Sequence, residues 1–107
     1  MTTRTLQILM ALAEGPAHGY GVRQRVEVRT DGAVKLGSGT LYEAVHRLLE
    51  RGLIQERPPP ADESGSGGPP RRYYALSDEG RGALRAELLR MEAVVDHARS
   101  LDLLTDS

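Results

Sequence analysis

Between Pro58 and Pro70 the chain carries five prolines with Gly, Ser, Asp62 and Glu63, and its only other apolar side chain there is Ala61. Such a segment cannot bury enough surface to offset the entropy of ordering it. It is expected to be a mobile loop, which leaves the runs on either side to pair with each other. Those runs are Leu53–Arg57 and Arg71–Leu76, and the Tyr73-Tyr74 pair in the second favours a strand. A β-hairpin with a long tip is the expected result.

Before the hairpin, the apolar residues follow helical periods. Leu6, Leu9, Met10 and Ala13 form one stripe, and Ile8 and Leu12 a second beside it, over an expected helix from Thr3 to Glu14. A helix apolar over more than half its circumference is buried on two sides, one of them a candidate subunit contact. Gly15-Pro16 ends it. A second helix is expected from His18 to Thr30 with Tyr20, Val22 and Val26 as core residues, and Thr30-Asp31-Gly32 is turn chemistry. Val34-Lys35-Leu36 alternates, as a very short strand would. A third helix follows, with Leu41, Val45, Leu48 and Leu49 as its apolar stripe. Thr40 with Glu43 has capping-box form, Ser38 is an equally good cap, and Gly52 stands where a left-handed terminator is wanted.

After the hairpin, Ser77 caps a last helix running to about Ser100. Its residues Leu84, Leu88, Met91, Val95 and Ala98 repeat with alternating spacings of four and three, a heptad seam. The fold class is therefore mostly α with a small β component (α+β). Residues 1–76 form a winged helix-turn-helix domain, and residues 77–107 a C-terminal dimerisation helix.

Composition narrows the function. The chain has 107 residues, no Cys, no Trp and no Phe. That length argues for one domain with a modest core. The missing cysteines exclude a disulfide framework and thiolate chemistry, and His18, His46 and His97 lack metal-ligand spacing. No cofactor, metal or enzyme active site is expected. No signal peptide and no membrane span are evident, which fits a cytoplasmic location. The net charge is −1, but residues 1–76 carry ten Lys/Arg against eight Asp/Glu, and residues 77–107 four Arg against seven acids. A mildly basic front and an acidic back are compatible with phosphate binding at the front, with weak non-specific affinity.

A major groove admits one α-helix, the preceding helix braces it, and a hairpin beside it reaches phosphates. The chain resembles PadR-type transcriptional regulators in this order and in its motifs. These are Ile8-Leu9-Met10-Ala11-Leu12-Ala13, Gly15-Pro16-Ala17-His18-Gly19-Tyr20, Gly39-Thr40-Leu41-Tyr42, Arg47-Leu48 through Gly52-Leu53-Ile54, and Arg71-Arg72-Tyr73-Tyr74-Ala75-Leu76-Ser77 with Gly80. The combination covers roughly residues 6–84 and resembles the small subclass with a single C-terminal helix. The resemblance implies a winged helix that dimerises through its first and last helices and usually represses transcription. It departs from many relatives in lacking Pro at Ser38 or Gly39, and in a less basic wing containing Asp62, Glu63 and Pro69.

The candidate DNA-binding residues are Ser38, Gly39 and Thr40 at the start of the third helix, Tyr42, His46 and Arg47 on its outward side, and Arg71 and Arg72 on the second wing strand. Helix N–H groups and guanidinium groups suit phosphates and guanine edges. The resemblance supports Tyr42 most. Each has a plainer reading: capping for the first three, a partly buried core-closing ring for Tyr42, and solvated surface for the others. The candidate dimerisation residues are Ile8, Leu12, Leu84, Leu88, Met91 and Val95, against packing of the last helix on the chain's own first helix. A symmetric dimer would set two third helices about one DNA turn, ~34 Å, apart on a palindromic operator. The expected partners are double-stranded DNA, a second copy of the chain, and a small hydrophobic effector between first and last helices. The competing reading is a winged-helix protein–protein interaction module without direct DNA binding.

Overall fold

The computed structural model describes residues 1–61 and 71–104. The elements run α1 (Thr3–Ala13), β1 (Ala17–His18), α2 (Gly19–Arg29), α3 (Ser38–Glu50), β2 (Ile54–Arg57), β3 (Tyr73–Leu76) and α4 (Asp78–Ser100). The three strands form one antiparallel sheet in the order β1-β3-β2, with Ile54 opposite Leu76, Arg57 opposite Tyr73, and His18 also opposite Tyr73. This is the winged helix-turn-helix with a C-terminal helix that the sequence implies. The loop tip, with Asp62, Glu63 and Pro69, lies outside the described residues.

One hydrophobic cluster holds the elements together. Ile8, Leu9, Val22 and Val26 are fully buried in it, joined by Leu12, Leu36, Leu41, Val45, Leu48, Ile54 and Leu84. Burying each such aliphatic side chain contributes roughly 1.5–3 kcal/mol before chain entropy is counted. The cluster draws on α1, α2, α3, β2 and α4, so the angle of α3 is fixed from several sides.

The turns follow from local chemistry. α3 ends on Gly52 at φ 73°, where the Leu53 N–H donates to Leu48 O at 3.0 Å and the Gly52 N–H to Leu49 O at 3.1 Å. This pairing satisfies carbonyls that the helix end leaves open. α2 ends in the same way with Asp31 in the left-handed region, and Thr30 Oγ1 ties the turn by donating to Val26 O and accepting from the Val34 N–H. Arg25 donates to Ala11 O and Gly15 O at 3.0 and 2.7 Å, so its charge sits at the carbonyl end of α1.

Several expectations are corrected. Val34–Leu36 forms no strand: Leu36 is buried and its carbonyl accepts from Arg23, so the run anchors the α2–α3 turn. The third strand is Ala17–His18, two residues too short to show periodicity. Tyr20 is 58% exposed rather than core. The Thr40–Glu43 capping box does not form, because α3 begins at Ser38 with Gly37 as its cap residue and no side-chain cap bond. Ile8, Leu12 and Leu84, expected at a subunit contact, are buried in the chain's own core and present almost no side chain to a partner.

α4 starts where Ser77 accepts the Gly80 N–H at 3.0 Å and donates through its hydroxyl to Gly52 O at 2.6 Å. A Cβ at position 80 would stand 1.9 Å from Leu53 O, so α4 approaches the end of α3 only because residue 80 is glycine. At Gly82 a Cβ would meet nothing within 4 Å. Gly80→Ala is expected to cost about 1–3 kcal/mol of stability through overpacking against backbone. Gly82→Ala is expected to gain up to about 1 kcal/mol from helix propensity. Urea unfolding of the two variants against the parent chain measures both.

Candidate nucleic-acid interface

The apolar stripe of α3 turns Leu41, Ala44, Val45 and Leu48 into the core. At 100° per residue the remaining positions fall into three rows. Ser38 and Tyr42 face β3 and the start of α2. Gly39, Glu43, His46 and Glu50 lie at the outermost edge. Thr40, Arg47 and Arg51 face the other flank, toward α1 and α4. Apart from half-buried Thr40, all of these residues are exposed.

The open end of α3 stands out electrostatically. α1, α2 and α4 are each capped by a side chain, from Thr2, His18 and Ser77, whereas α3 has no such bond. The N–H groups of its first turn are therefore not engaged by a capping side chain, and the helix dipole places partial positive charge there. Ser38 and Gly39 are exposed, and a Cβ at Gly39 would meet nothing within 4 Å, so a ligand can come close to this backbone. Phosphate is the ligand such an end suits.

Beside this end lies a groove of about 470 Å³ between α2, α3 and β3. It brings together Ser38, Tyr42, Arg71 and Arg72 of the expected set, and adds Tyr20, His18 and Arg23. Tyr42 is 71% exposed with its ring stacked against His46 at 6.4 Å, which sets aside the core-closing reading. Arg71 Nη1 lies 2.9 Å from His18 Nε2, and Arg72 pairs loosely with Glu56 at 3.6 Å. Exposed pairs of this kind are weak and readily exchanged for a phosphate. Burial pushes the Tyr74 phenol above its ordinary value, Glu56 adds to that and Arg72 opposes it, so the phenol keeps its proton as a donor.

His46, Arg47 and Thr40 do not line this groove. His46 lies 3.1 Å from Glu50 at the outer edge of α3, while Arg47 and Thr40 line a separate groove on the opposite flank. The expected set thus divides between the two sides of one helix. Tyr20 and Arg23 were not expected in the site. Tyr20 reads as core beside Val22 and Val26, but at 100° per residue it lies about 160° from the first and about 120° from the second, so burying those two turns its ring outward. Arg23 donates from Nε to Leu36 O at 2.8 Å and from Nη1 to Ser38 Oγ at 3.2 Å, which makes it the brace between α2 and the tip of α3. No local pattern signals a contact thirteen residues along the chain.

Comparison with known proteins agrees with this geometry. The family described as "Transcriptional regulator PadR-like family" matches residues 8–86. An uncharacterized 37.1 kDa protein in transposon TN4556 of Streptomyces fradiae is 37% identical over 86 residues, or 80% of this chain. The chain spans only 21% of that relative's length. A PadR family transcription regulator from Clostridium difficile R20291 superposes with a TM-score of 0.73 at 26% identity, over 91% of this chain and 95% of that one. Bacillus subtilis PadR, solved in complex with operator DNA, has the same fold with a TM-score of 0.69 at 20% identity, over 81% of this chain and 47% of that one.

The two bonds of Arg23 predict a structural effect separable from binding. Arg23→Ala is expected to lower stability by about 1–2 kcal/mol by leaving the Leu36 carbonyl without its donor. Arg23→Lys is expected to recover little, because a lysine cannot reproduce the two-point fork. Denaturant midpoints at constant slope measure both.

Proposed function

This chain belongs to the PadR-like family of transcriptional regulators, and from that premise we propose that it is a dimeric repressor that reads a palindromic operator with α3. Membership places it among DNA-binding transcriptional regulators rather than enzymes. The observation that carries the finer reading is the pairing of the uncapped N-terminus of α3 with Arg71 and Arg72, the two residues before β3, on one groove. Ser38, Gly39 and Thr40 bring backbone N–H groups to a phosphate, and Arg71 and Arg72 hold the adjoining backbone. Tyr42 donates its hydroxyl to a phosphate or packs on a sugar. His46 and Arg47 reach base edges, Arg47 suiting a guanine. The Bacillus subtilis protein of the same fold was solved with operator DNA, which supports DNA as the ligand of this reading.

The dimer in this reading forms through the part of α4 that the core does not use. Beyond Leu84, the helix exposes Leu88 at 38% and Met91 at 43%, with Leu89 and Val94 beside them, while Val95 is half-buried. An isolated helix keeps such a face only against a partner. Leu88, Met91 and Val95 of the expected seam thus remain available, with Leu89 and Val94 added. A small hydrophobic effector that relieves repression would act where this face meets its copy.

Binding to a duplex carrying the chain's own promoter tests the reading by gel shift over a range of salt. Salt-sensitive binding of the folded protein is expected, and a folded protein that gives no shift across the promoter refutes it. Arg47→Ala combined with Arg71→Ala is expected to weaken operator binding by roughly 10- to 100-fold or more, at about 1–3 kcal/mol for a lost base contact. Leu88→Asp with Met91→Glu is expected to shift sedimentation from dimer to monomer and to reduce binding to that of a half-site. Unchanged sedimentation would refute the α4 interface.

A further inference from the structure

Resting on the reading of α3 as the helix in the major groove, we infer that the groove between α3, the start of α1 and α4 holds the DNA backbone on the side opposite the wing. This groove has a volume of about 670 Å³, and Arg4, Arg47, Arg51 and Arg90 line it together with Thr40 and Glu43. Arg4 comes from α1, Arg47 from α3, Arg51 from the residue after α3, and Arg90 from α4. Four guanidinium groups separated by up to 86 positions in sequence therefore converge on one depression, in a chain whose net charge is −1.

Their pairing state favours an outside anion. Arg4, Arg47 and Arg51 have no side-chain hydrogen bond or ion pair among the described residues. Arg90 alone is engaged, with Nη2 at 2.7 Å from Glu87 Oε1, and that contact holds the Glu87 carboxyl below its usual range. The three arginines of α2 are instead consumed by structure: Arg23, Arg25 and Arg29 bond carbonyls of α1, of the turn after it and of the α2–α3 turn. Gathering unpaired like charges is unfavourable unless a polyanion neutralises them. Thr40 adds a hydroxyl donor, and Glu43 stands at the lip.

The place of the groove identifies the polyanion. Arg47 and Glu43 also line the outer face of α3, so the groove is continuous with the proposed recognition surface. A helix with its side chains is about 10–12 Å across and the major groove about 12 Å wide. Such a helix has a sugar–phosphate strand on each side. Arg71 and Arg72 meet the strand on the wing side, and Arg4, Arg51 and Arg90 meet the other, with Arg47 between them and the base edges. Arg4, Arg51 and Arg90 are then binding residues in addition to those of α3 and the wing, and they fix the roll of α3 in the groove without reading sequence.

The test is fluorescence anisotropy of the full chain on its operator duplex and on a scrambled duplex, across a salt series. Arg4→Gln, Arg51→Gln and Arg90→Gln are measured singly and together, with Arg99→Gln, at the projecting end of α4, as the control. All sites are exposed, and circular dichroism verifies folding. Each groove substitution is expected to flatten the plot of log affinity against log salt by about 0.9, equally on both duplexes, and the control to leave it unchanged. Parent-like slopes in the triple variant, with the parent chain still binding the operator, overturn this inference alone. A change confined to the dimer dissociation constant also overturns it, because a second copy then occupies the groove. So does binding of inorganic phosphate without any change in DNA slope. A parent chain that shows no salt-dependent binding overturns the major-groove reading itself, and this inference with it.

Discussion

The burial of α1 is the constraint on which the rest depends. Ile8, Leu9 and Ala11 are fully buried, Leu12 nearly so, and the same cluster takes in residues of α2, α3, β2 and α4. A short chain has little interior, and placing one helix at its centre lets a single set of side chains serve every neighbour. The consequence for function is geometric. α3 packs on α2 and β2, while α1 packs on α2, β3 and α4, so the proposed recognition helix and the wing arginines are held by one shared cluster. Cavity formation in α1 would therefore disturb both halves of the proposed DNA surface together, with Leu→Ala changes costing about 2–5 kcal/mol.

A second theme is how the arginines are divided. Arg25 and Arg29 of α2 reach back to α1, where Arg29 meets Glu14 at 3.1 Å and the Gln7 carbonyl at 3.1 Å. Arg23 reaches forward to the tip of α3. These cations serve carbonyls that helix ends and turns leave open, and hydrogen bonds to charged groups are worth about 1.5–3 kcal/mol where partly buried. Arginines left without such work include those on the flanks of α3, besides Arg81 and Arg85 on α4. Net charge is thus a poor guide to this chain. What matters is which guanidinium groups the fold has already satisfied.

The architecture was legible in the sequence because its signals are local. Gly15-Pro16, Thr30-Asp31-Gly32 and Gly52 stop the first three helices as expected, and Ser77 caps the last. What was not legible depends on contacts remote in sequence. Ile8 and Leu12 looked like a spare face because periodicity reports that a side is apolar, not what covers it, and here α4 and the sheet cover it with the chain's own atoms. Tyr20 is the exception, because its place was readable: about 160° from Val22 and about 120° from Val26 around α2, it faces outward once those two are buried. The capping box also failed. Thr40 and Glu43 have the right spacing, yet the cap residue of α3 is Gly37, three residues before Thr40, and Arg23 bonds the Ser38 hydroxyl beside it. The helix starts earlier than that local preference indicates, and the result is a helix end with no side-chain cap bond.

α4 completes the arrangement by doing two things along its length. Its first turns, through Gly80 and Leu84, belong to the core, while from Leu88 onward its apolar residues are exposed or half-buried. The radius of gyration, 16.2 Å, and the longest extent, 56 Å, reflect a helix extending past the body. A compact chain of this length has a radius of gyration of ~13 Å. Because Gly80 stands against the Leu53 carbonyl and Ser77 bonds Gly52, the base of α4 is fixed directly to the end of α3. A change in the direction of α4 cannot be absorbed by a flexible joint between them. In a dimer built on the exposed part of α4, the angle between the two helices would be transmitted to the spacing of the two recognition helices. Any ligand that alters that angle would then act on the fit to DNA without touching the DNA surface.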